Sequence, residues 1–88
     1  MACDPLNYSG VDDAKWNAAR EAVSREYGMD IDSEQGEDSK KGFRLRWSYD
    51  ASAQTLEIQC IDKPRLIPCG IVSSRINSLA DGCGIAPA

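Results

Sequence analysis

The longest regular pattern in the chain is an apolar stripe between residues 11 and 27. Its members are Trp16, Ala19, Val23 and Tyr27, with Ala22 beside them. Positions three and four apart share one face of a helix. Asp12 and Asp13 supply negative charge for the first turn, and Gly28 supplies a residue suited to a left-handed stop. The pattern therefore predicts an amphipathic helix that ends at Tyr27.

A second pattern, of period two, begins at Phe43. The residues on its apolar face are Phe43, Leu45, Trp47, Tyr49, and then Leu56, Ile58 and Cys60. Alternation of this kind is typical of a strand with one buried face. The polar connection at residues 50–54 is short enough for a hairpin and rich in turn-forming residues. The two segments therefore predict an antiparallel β-hairpin.

Helical spacing returns between Cys69 and Ala80, with Gly82 as the stop. Pro64 and Pro68 end the second strand before it. The remaining segments lack a period. Residues 1–10 are predicted to be an irregular N-terminal arm, residues 30–42 a mobile acidic loop and residues 83–88 a C-terminal coil.

These elements predict an α+β fold in α-β-β-α order, a single domain over residues 1–88, because a chain of this length has room for one core. Two helices pack on one face of the hairpin. The predicted core is Trp16, Val23, Tyr27, Phe43, Leu45, Trp47, Leu56, Ile58, Ile76 and Leu79. A two-stranded sheet leaves both edges unpaired, so we expect pairing into a homodimer, with an edge-protected monomer as the alternative.

The charge balance limits the classes of partner. A net charge of −4 disfavours binding to a phosphate backbone. Arg44 and Arg46 lie opposite the aromatic face, whereas sheets that bind single strands expose rings and basic groups together. Nucleic acid is therefore not expected as a partner. No apolar run approaches a membrane span, and residues 1–4 lack signal-peptide features. We expect a cytoplasmic protein, or a secreted one if Met1 replaces a signal peptide.

Catalytic and metal chemistry find little support in the chain. It has no histidine, the usual general base and the commonest metal ligand. Asp30, Asp32 and Glu34 alternate like the first ligands of a calcium loop, but Gln35 stands where Gly is needed and Lys41 where a bidentate Glu is needed. We therefore predict a solvated acidic loop, no metal, no cofactor and no catalytic residue, so an enzyme is not favoured.

The four cysteines leave several alternatives open. Cys3, Cys60, Cys69 and Cys83 form no Cys-x-x-Cys motif. Cys69 begins the second helix, where the helix dipole favours a thiolate; the alternative is an inert thiol that fills space. In an oxidising compartment, four cysteines allow two disulfides in any of three pairings.

The leading functional hypothesis is a small non-enzymatic binding or accessory protein that acts through a protein partner or by self-association. Its predicted contacts are Arg44 and Arg46 on the strand, Asp30, Asp32 and Glu34 in the acidic loop, and the hairpin edge. One alternative is a thiol-redox or metal-binding protein that uses Cys69 with Cys60 or Cys83. Another is a small secreted effector or inhibitor stapled by disulfides.

Overall fold

A five-stranded antiparallel sheet and two helices make up the fold in the computed structural model, which describes residues 2–87. The strands are β1 (Leu6–Ser9), β2 (Gln35–Lys40), β3 (Phe43–Asp50), β4 (Thr55–Asp62) and β5 (Ala86–Pro87); the helices are α1 (Asp13–Tyr27) and α2 (Cys69–Gly82). The strands lie in the order β2-β3-β4-β1-β5. The predicted α+β class is confirmed. None of the described helices is long and apolar enough to cross a membrane.

Helix α1 begins and ends where local chemistry dictates. The Asp12 carboxylate accepts a hydrogen bond from the Lys15 backbone N–H at 2.8 Å, which satisfies one of the free donors of the first turn. Gly28 ends the helix with φ at 68°, a left-handed conformation that a side chain would disfavour. The predicted helix and its glycine stop are confirmed.

Strands β3 and β4 form the predicted hairpin. Trp47 pairs with Ile58 and Tyr49 with Leu56, so their apolar side chains share the face that the helices cover. The Asp50 carboxylate accepts hydrogen bonds from the backbone N–H groups of Ser52 and Ala53 and holds the turn.

The N-terminal segment is more ordered than the predicted irregular arm. Leu6–Ser9 pairs with β4 along the edge of the hairpin. Tyr8 is only 1% exposed, and its hydroxyl donates to the Asn77 side-chain oxygen at 2.7 Å. Four residues are too few to establish a period, and the turn formers around them conceal the strand, so long-range pairing decides the structure here.

The acidic segment also gains structure that its composition does not predict. Gln35–Lys40 is strand β2, which pairs with β3 along the other edge of the hairpin. A Cβ atom on Gly36 would come within 3.1 Å of the Trp47 ring, so this glycine allows β2 to pass close to the indole. Before the strand, the Trp47 indole N–H donates to the Ser33 carbonyl oxygen at 3.0 Å. The prediction of a mobile loop is corrected for these residues, because backbone pairing with β3 outweighs their low strand propensity.

Strand β5, Ala86–Pro87, adds to the far side of β1 and corrects the predicted C-terminal coil at these two residues. The hairpin therefore has neighbours on both edges, β2 on one side and β1 on the other. The unpaired hairpin edges on which the expected homodimer depended are occupied within the chain.

Both helices cover the same face of the sheet. The Trp16 ring of α1 stacks on Tyr49 of β3, with centroids 4.7 Å apart. Seven of the ten predicted core residues belong to the buried hydrophobic cluster, and the other three, Tyr27, Phe43 and Leu79, are partly buried and pack against it. The other face carries no helix and is called the open face; on β3 and β4 it presents Arg44, Arg46, Ser48, Asp50, Thr55, Glu57, Gln59 and Ile61.

Candidate functional site

A groove of about 730 Å³ runs between the two helices and opens at the turn from β2 to β3. We call it the interhelical groove. Its floor is made of buried apolar side chains, namely Ala22, Met29, Leu45, Val72 and Ile76. Its walls are half-buried side chains, namely Tyr27, Phe43, Ile67, Leu79 and Cys83. Its size and apolar lining fall within the range of ligand-binding clefts.

Helix α2 presents one continuous face to this groove. The positions are spaced by three and four residues, from Ile71 through Ser74 and Ser78 to Gly82. All four are exposed, and the last three, Ser74, Ser78 and Gly82, are small. A face of this kind allows another backbone to approach closely.

The rim of the groove is basic in a chain that is acidic overall. Arg25, Lys40, Lys41 and Arg75 line it, with Glu26 as the one acidic side chain among the described lining residues. Four positive charges less one negative charge give +3 at the rim, so the total of −4 leaves −7 on the remainder of the chain. The groove therefore has a positively charged rim although the chain as a whole is acidic.

The basic side chains of the rim are not neutralised within the described chain. Over residues 2–87 none of the four forms a salt bridge. The Lys40 side chain lies over Gly28 at the end of α1. Lys41 and Gly42 both have positive φ, which makes the turn between β2 and β3 tight and holds Lys41 at the groove's edge.

Tyr27 is the groove residue whose ionisation is shifted. Burial raises the pKa of its hydroxyl, and the nearby positive charge of Arg75 opposes part of that rise. The positive charge of Arg75 therefore acts on a group that lines the groove. The Tyr27 hydroxyl remains protonated and neutral at physiological pH.

An apolar lip continues the groove on one side. Leu66 is 97% exposed and Ile71 is 49% exposed, and these are the large hydrophobic side chains that the described chain leaves open to solvent. Leu66 lies in a turn closed by a hydrogen bond from the Ile67 N–H to the Pro64 carbonyl oxygen at 3.1 Å. Ile67 and Ile71 both line the groove, and Leu66 is the residue before Ile67, so the lip adjoins the groove.

The predicted basic contacts, Arg44 and Arg46, lie on the open face, away from the groove. The Arg44 guanidinium forms a salt bridge with Glu37 of β2 at 3.0 Å. Arg46 donates to the Gln59 side-chain oxygen at 2.6 Å. Both arginines therefore have partners inside the chain.

The predicted acidic contacts, Asp30, Asp32 and Glu34, are exposed in the segment between α1 and β2. They do not line the groove. The Asp30 backbone N–H donates to the Asp38 carboxylate at 3.1 Å, which fixes the segment locally. Over residues 2–87, no group of three acidic or cysteine side chains is arranged to hold a metal ion.

The cysteines are not arranged as the thiol hypothesis expected. Cys69 forms a disulfide with Cys3, with their Cα atoms 5.5 Å apart, and so is not a free thiol beside Cys60 or Cys83. Cys60 is buried and donates to the Asp62 carbonyl oxygen, and burial raises the pKa of its thiol. Cys83 is a half-buried thiol in the groove wall. One of the three possible pairings for Cys69 is thus realised.

Sequence reasoning missed the groove because helical and strand periods assign Tyr27, Phe43 and Leu79 to a closed core. A period shows which face is apolar and does not show whether a neighbour covers it completely. Two signals pointed to the groove. Leu66 and Ile67 form a short apolar segment between two prolines, and Lys40 and Lys41 come shortly before the apolar strand that starts at Phe43.

Comparison with known proteins finds no matching protein family, no matching curated protein and no matching solved structure. The features of the molecule that bear on function are the groove, its basic rim, its apolar lip and the disulfide.

Proposed function

We propose that this chain is a small non-enzymatic binding protein and that a protein partner docks in the interhelical groove. The observation that carries the proposal is the open apolar groove of about 730 Å³, which is lined in part by exposed Ile71 and by Ile67, the residue after exposed Leu66. Exposure of a large apolar surface to water is unfavourable, and such surfaces often mark the place where another molecule binds. Binding of a partner would remove this apolar surface from water and so be favourable.

The side chains of the groove suit binding better than catalysis. Within residues 2–87 no hydrogen bond in the groove joins a nucleophile to a base. The floor is apolar and the ionic groups are confined to the rim, which is the usual arrangement of an interface with an apolar centre and a polar border. The exposed leucine and isoleucine would add apolar area to such an interface.

Site-specific photo-crosslinking in the source culture, with cells and medium analysed together, tests this proposal. A photoreactive amino acid replaces Ile71 at the lip in one variant and Arg46 on the open face in the matched control. We expect a discrete crosslinked protein from position 71 and none from position 46, because the two positions lie on opposite sides of the sheet. Crosslinks that form from position 46 and not from position 71 would overturn the proposed site.

The disulfide supports a second feature, that the protein works in an oxidising compartment as a secreted effector or inhibitor. Cys3 and Cys69 are 66 positions apart, and their bond ties the N-terminal segment to the start of α2. Small domains use such bonds outside the reducing cytosol, where disulfides persist. This proposal takes the secreted alternative over the cytoplasmic location, and the disulfide is the observation that favours it.

Mass spectrometry of the protein from its source, with thiols alkylated before reduction, tests the compartment. We expect label on Cys60 and Cys83 after unfolding and none on Cys3 and Cys69. Complete labelling of all four cysteines would show a reduced protein and would contradict the proposal for an oxidising location.

A further inference from the structure

We infer that the occupant of the interhelical groove is an acidic amphipathic helix supplied by the partner. The inference rests on the proposed function and deepens it by naming the chemistry of the partner segment. Three features of the groove support it: the charge of its rim, the shape of the α2 face and the position of the apolar lip.

Charge selects an acidic partner. The rim carries +3 while the remainder of the chain carries −7, so an acidic segment is attracted to the groove and repelled elsewhere. The four basic side chains have no salt bridge within residues 2–87, so they are free to meet carboxylates without breaking an existing pair. Charge complementarity of this kind steers association and fixes orientation.

Shape selects a helix. Ser74, Ser78 and Gly82 recur every four residues along the α2 face that borders the groove. A row with that spacing forms a shallow channel into which the ridge of another helix packs. The face from Ile71 to Gly82 corresponds to about three helical turns, at roughly 1.5 Å per residue. A partner helix of about three turns therefore matches its length.

The apolar lip sets how the helix is anchored. Leu66 and Ile71 project at one side, and half-buried Tyr27, Phe43 and Leu79 offer ring and methyl surface inside. An amphipathic helix would place apolar residues three and four apart against this surface, with carboxylates on both flanks beside the basic rim. An apolar floor is poorly suited to phosphate groups, which need polar contacts, so the groove favours an acidic peptide over nucleic acid.

Selection from a displayed library of random 16-residue peptides tests the inference directly. The bait is the full chain with its disulfide intact. We expect the enriched peptides to carry net negative charge and apolar residues at three-and-four spacing. Enrichment without an acidic excess, or without helical spacing, would overturn the inference.

Binding of the best selected peptide is then measured by fluorescence anisotropy against two matched variants. The groove variant is Arg25→Glu with Arg75→Glu, and the open-face variant is Arg44→Glu with Arg46→Glu, which makes the same change in charge. We expect the groove variant to bind about tenfold more weakly or worse, because two attractions at the rim become repulsions. The open-face variant should bind within about twofold of the original protein, because long-range charge effects are screened at physiological salt.

Circular dichroism of both variants tests whether they are folded. A second groove variant, Lys40→Gln with Lys41→Asn, leaves the helices unchanged and keeps the test valid if the first variant unfolds; asparagine tolerates the positive φ at position 41. Equal loss of binding in the groove and open-face variants would show general charge attraction and overturn the inference.

Sedimentation separates a partner helix from a second copy of this chain. We expect a monomer at micromolar concentration in the absence of peptide. A dimer that Arg25→Glu with Arg75→Glu dissociates would assign the groove to self-association and overturn the inference of an acidic helix. If crosslinks from position 71 recur while no acidic helical peptide is selected, the groove remains the binding site and only the chemistry of its occupant is refuted.

Discussion

The arginines on the two sides of the sheet differ in whether they have partners within the chain. On the open face, Arg44 forms a salt bridge with Glu37 and Arg46 donates a hydrogen bond to Gln59, so both guanidinium groups have partners within the chain. On the helix side, Arg25 and Arg75 border an apolar groove and have no salt bridge within residues 2–87. Exposure alone does not separate the two regions, because all four side chains are exposed.

This difference indicates that a binding surface can be recognised by charged and apolar groups that have no partner within the chain. The open face is a solvated surface whose polar groups stabilise one another. The groove combines unpaired cations with apolar walls and a projecting leucine, which is a combination that the fold itself does not use. The groove is therefore the proposed binding site, and the open face serves as the comparison surface.

The largest expected difference between the two sides of the sheet is in the free energy of unfolding after substitution of neighbouring β3 residues that point to opposite sides. Leu45→Ala removes part of the groove floor and should lower the free energy of unfolding by about 3 to 4 kcal/mol, because the deleted methyl groups leave a cavity. Arg46→Ala, one residue away on the open face, should cost less than about 1 kcal/mol. Urea denaturation measures both, and similar losses would contradict the assignment of the two faces.

The disulfide gives the next largest effect. Cys3→Ser with Cys69→Ser should lower the free energy of unfolding by about 3 kcal/mol, because the unfolded chain regains the freedom that a long loop closure removes. Cys83→Ser, at a half-buried free thiol, is the control and should cost about 1 kcal/mol or less. A loss in the free energy of unfolding no larger than that of the control would show that the disulfide contributes little to the stability of the fold.

Tyr8 sharpens the comparison because it ties α2, one wall of the groove, to the sheet. Burial raises its pKa to about 12. A tyrosine in the unfolded chain ionises near pH 10, so the contribution of the neutral hydroxyl is fully present below about pH 10 and is lost as pH rises towards about 12.

Tyr8→Phe tests this by removing both the ionisation and the hydrogen bond to Asn77. It should cost about 1 kcal/mol at neutral pH and make the alkaline fall in melting temperature shallower. Tyr49 and Tyr27, whose pKa values are also raised by burial, should keep part of that fall. An unchanged alkaline profile would refute the role assigned to Tyr8.

The smallest effect is expected on the open face. Arg44→Gln removes the salt bridge to Glu37 and should change the free energy of unfolding by less than about 0.5 kcal/mol, because the pair is exposed to water. Peptide binding should also be unchanged. A loss of binding in this variant, measured by anisotropy, would move the site away from the groove.

Sequence periodicity was sufficient to predict the helices and the central hairpin. The stripe on α1 and the alternation from Phe43 follow directly from the geometry of regular structure, and their caps are local. Long-range pairing was not accessible in the same way. Strands β1, β2 and β5 are short or polar and exist because the hairpin offers them unpaired backbone groups.

The candidate site was predictable only in part. Composition favoured a binding protein over an enzyme, yet the predicted contacts Arg44, Arg46, Asp30, Asp32 and Glu34 lie outside the groove. Charge in sequence does not show which basic side chains find partners. That depends on the register of β2 and β3, which brings Glu37 opposite Arg46 and diagonally near Arg44.

Methyl chemical shifts recorded during titration with the selected peptide test the central claim most directly. Ile71 and Leu79 report on the groove, and Thr55 and Ile61 report on the open face of β4. If the peptide binds in the groove, large, saturable shifts are expected at Ile71 and Leu79 and none at Thr55 and Ile61. Shifts confined to Thr55 and Ile61 would contradict this claim and place binding on the open face.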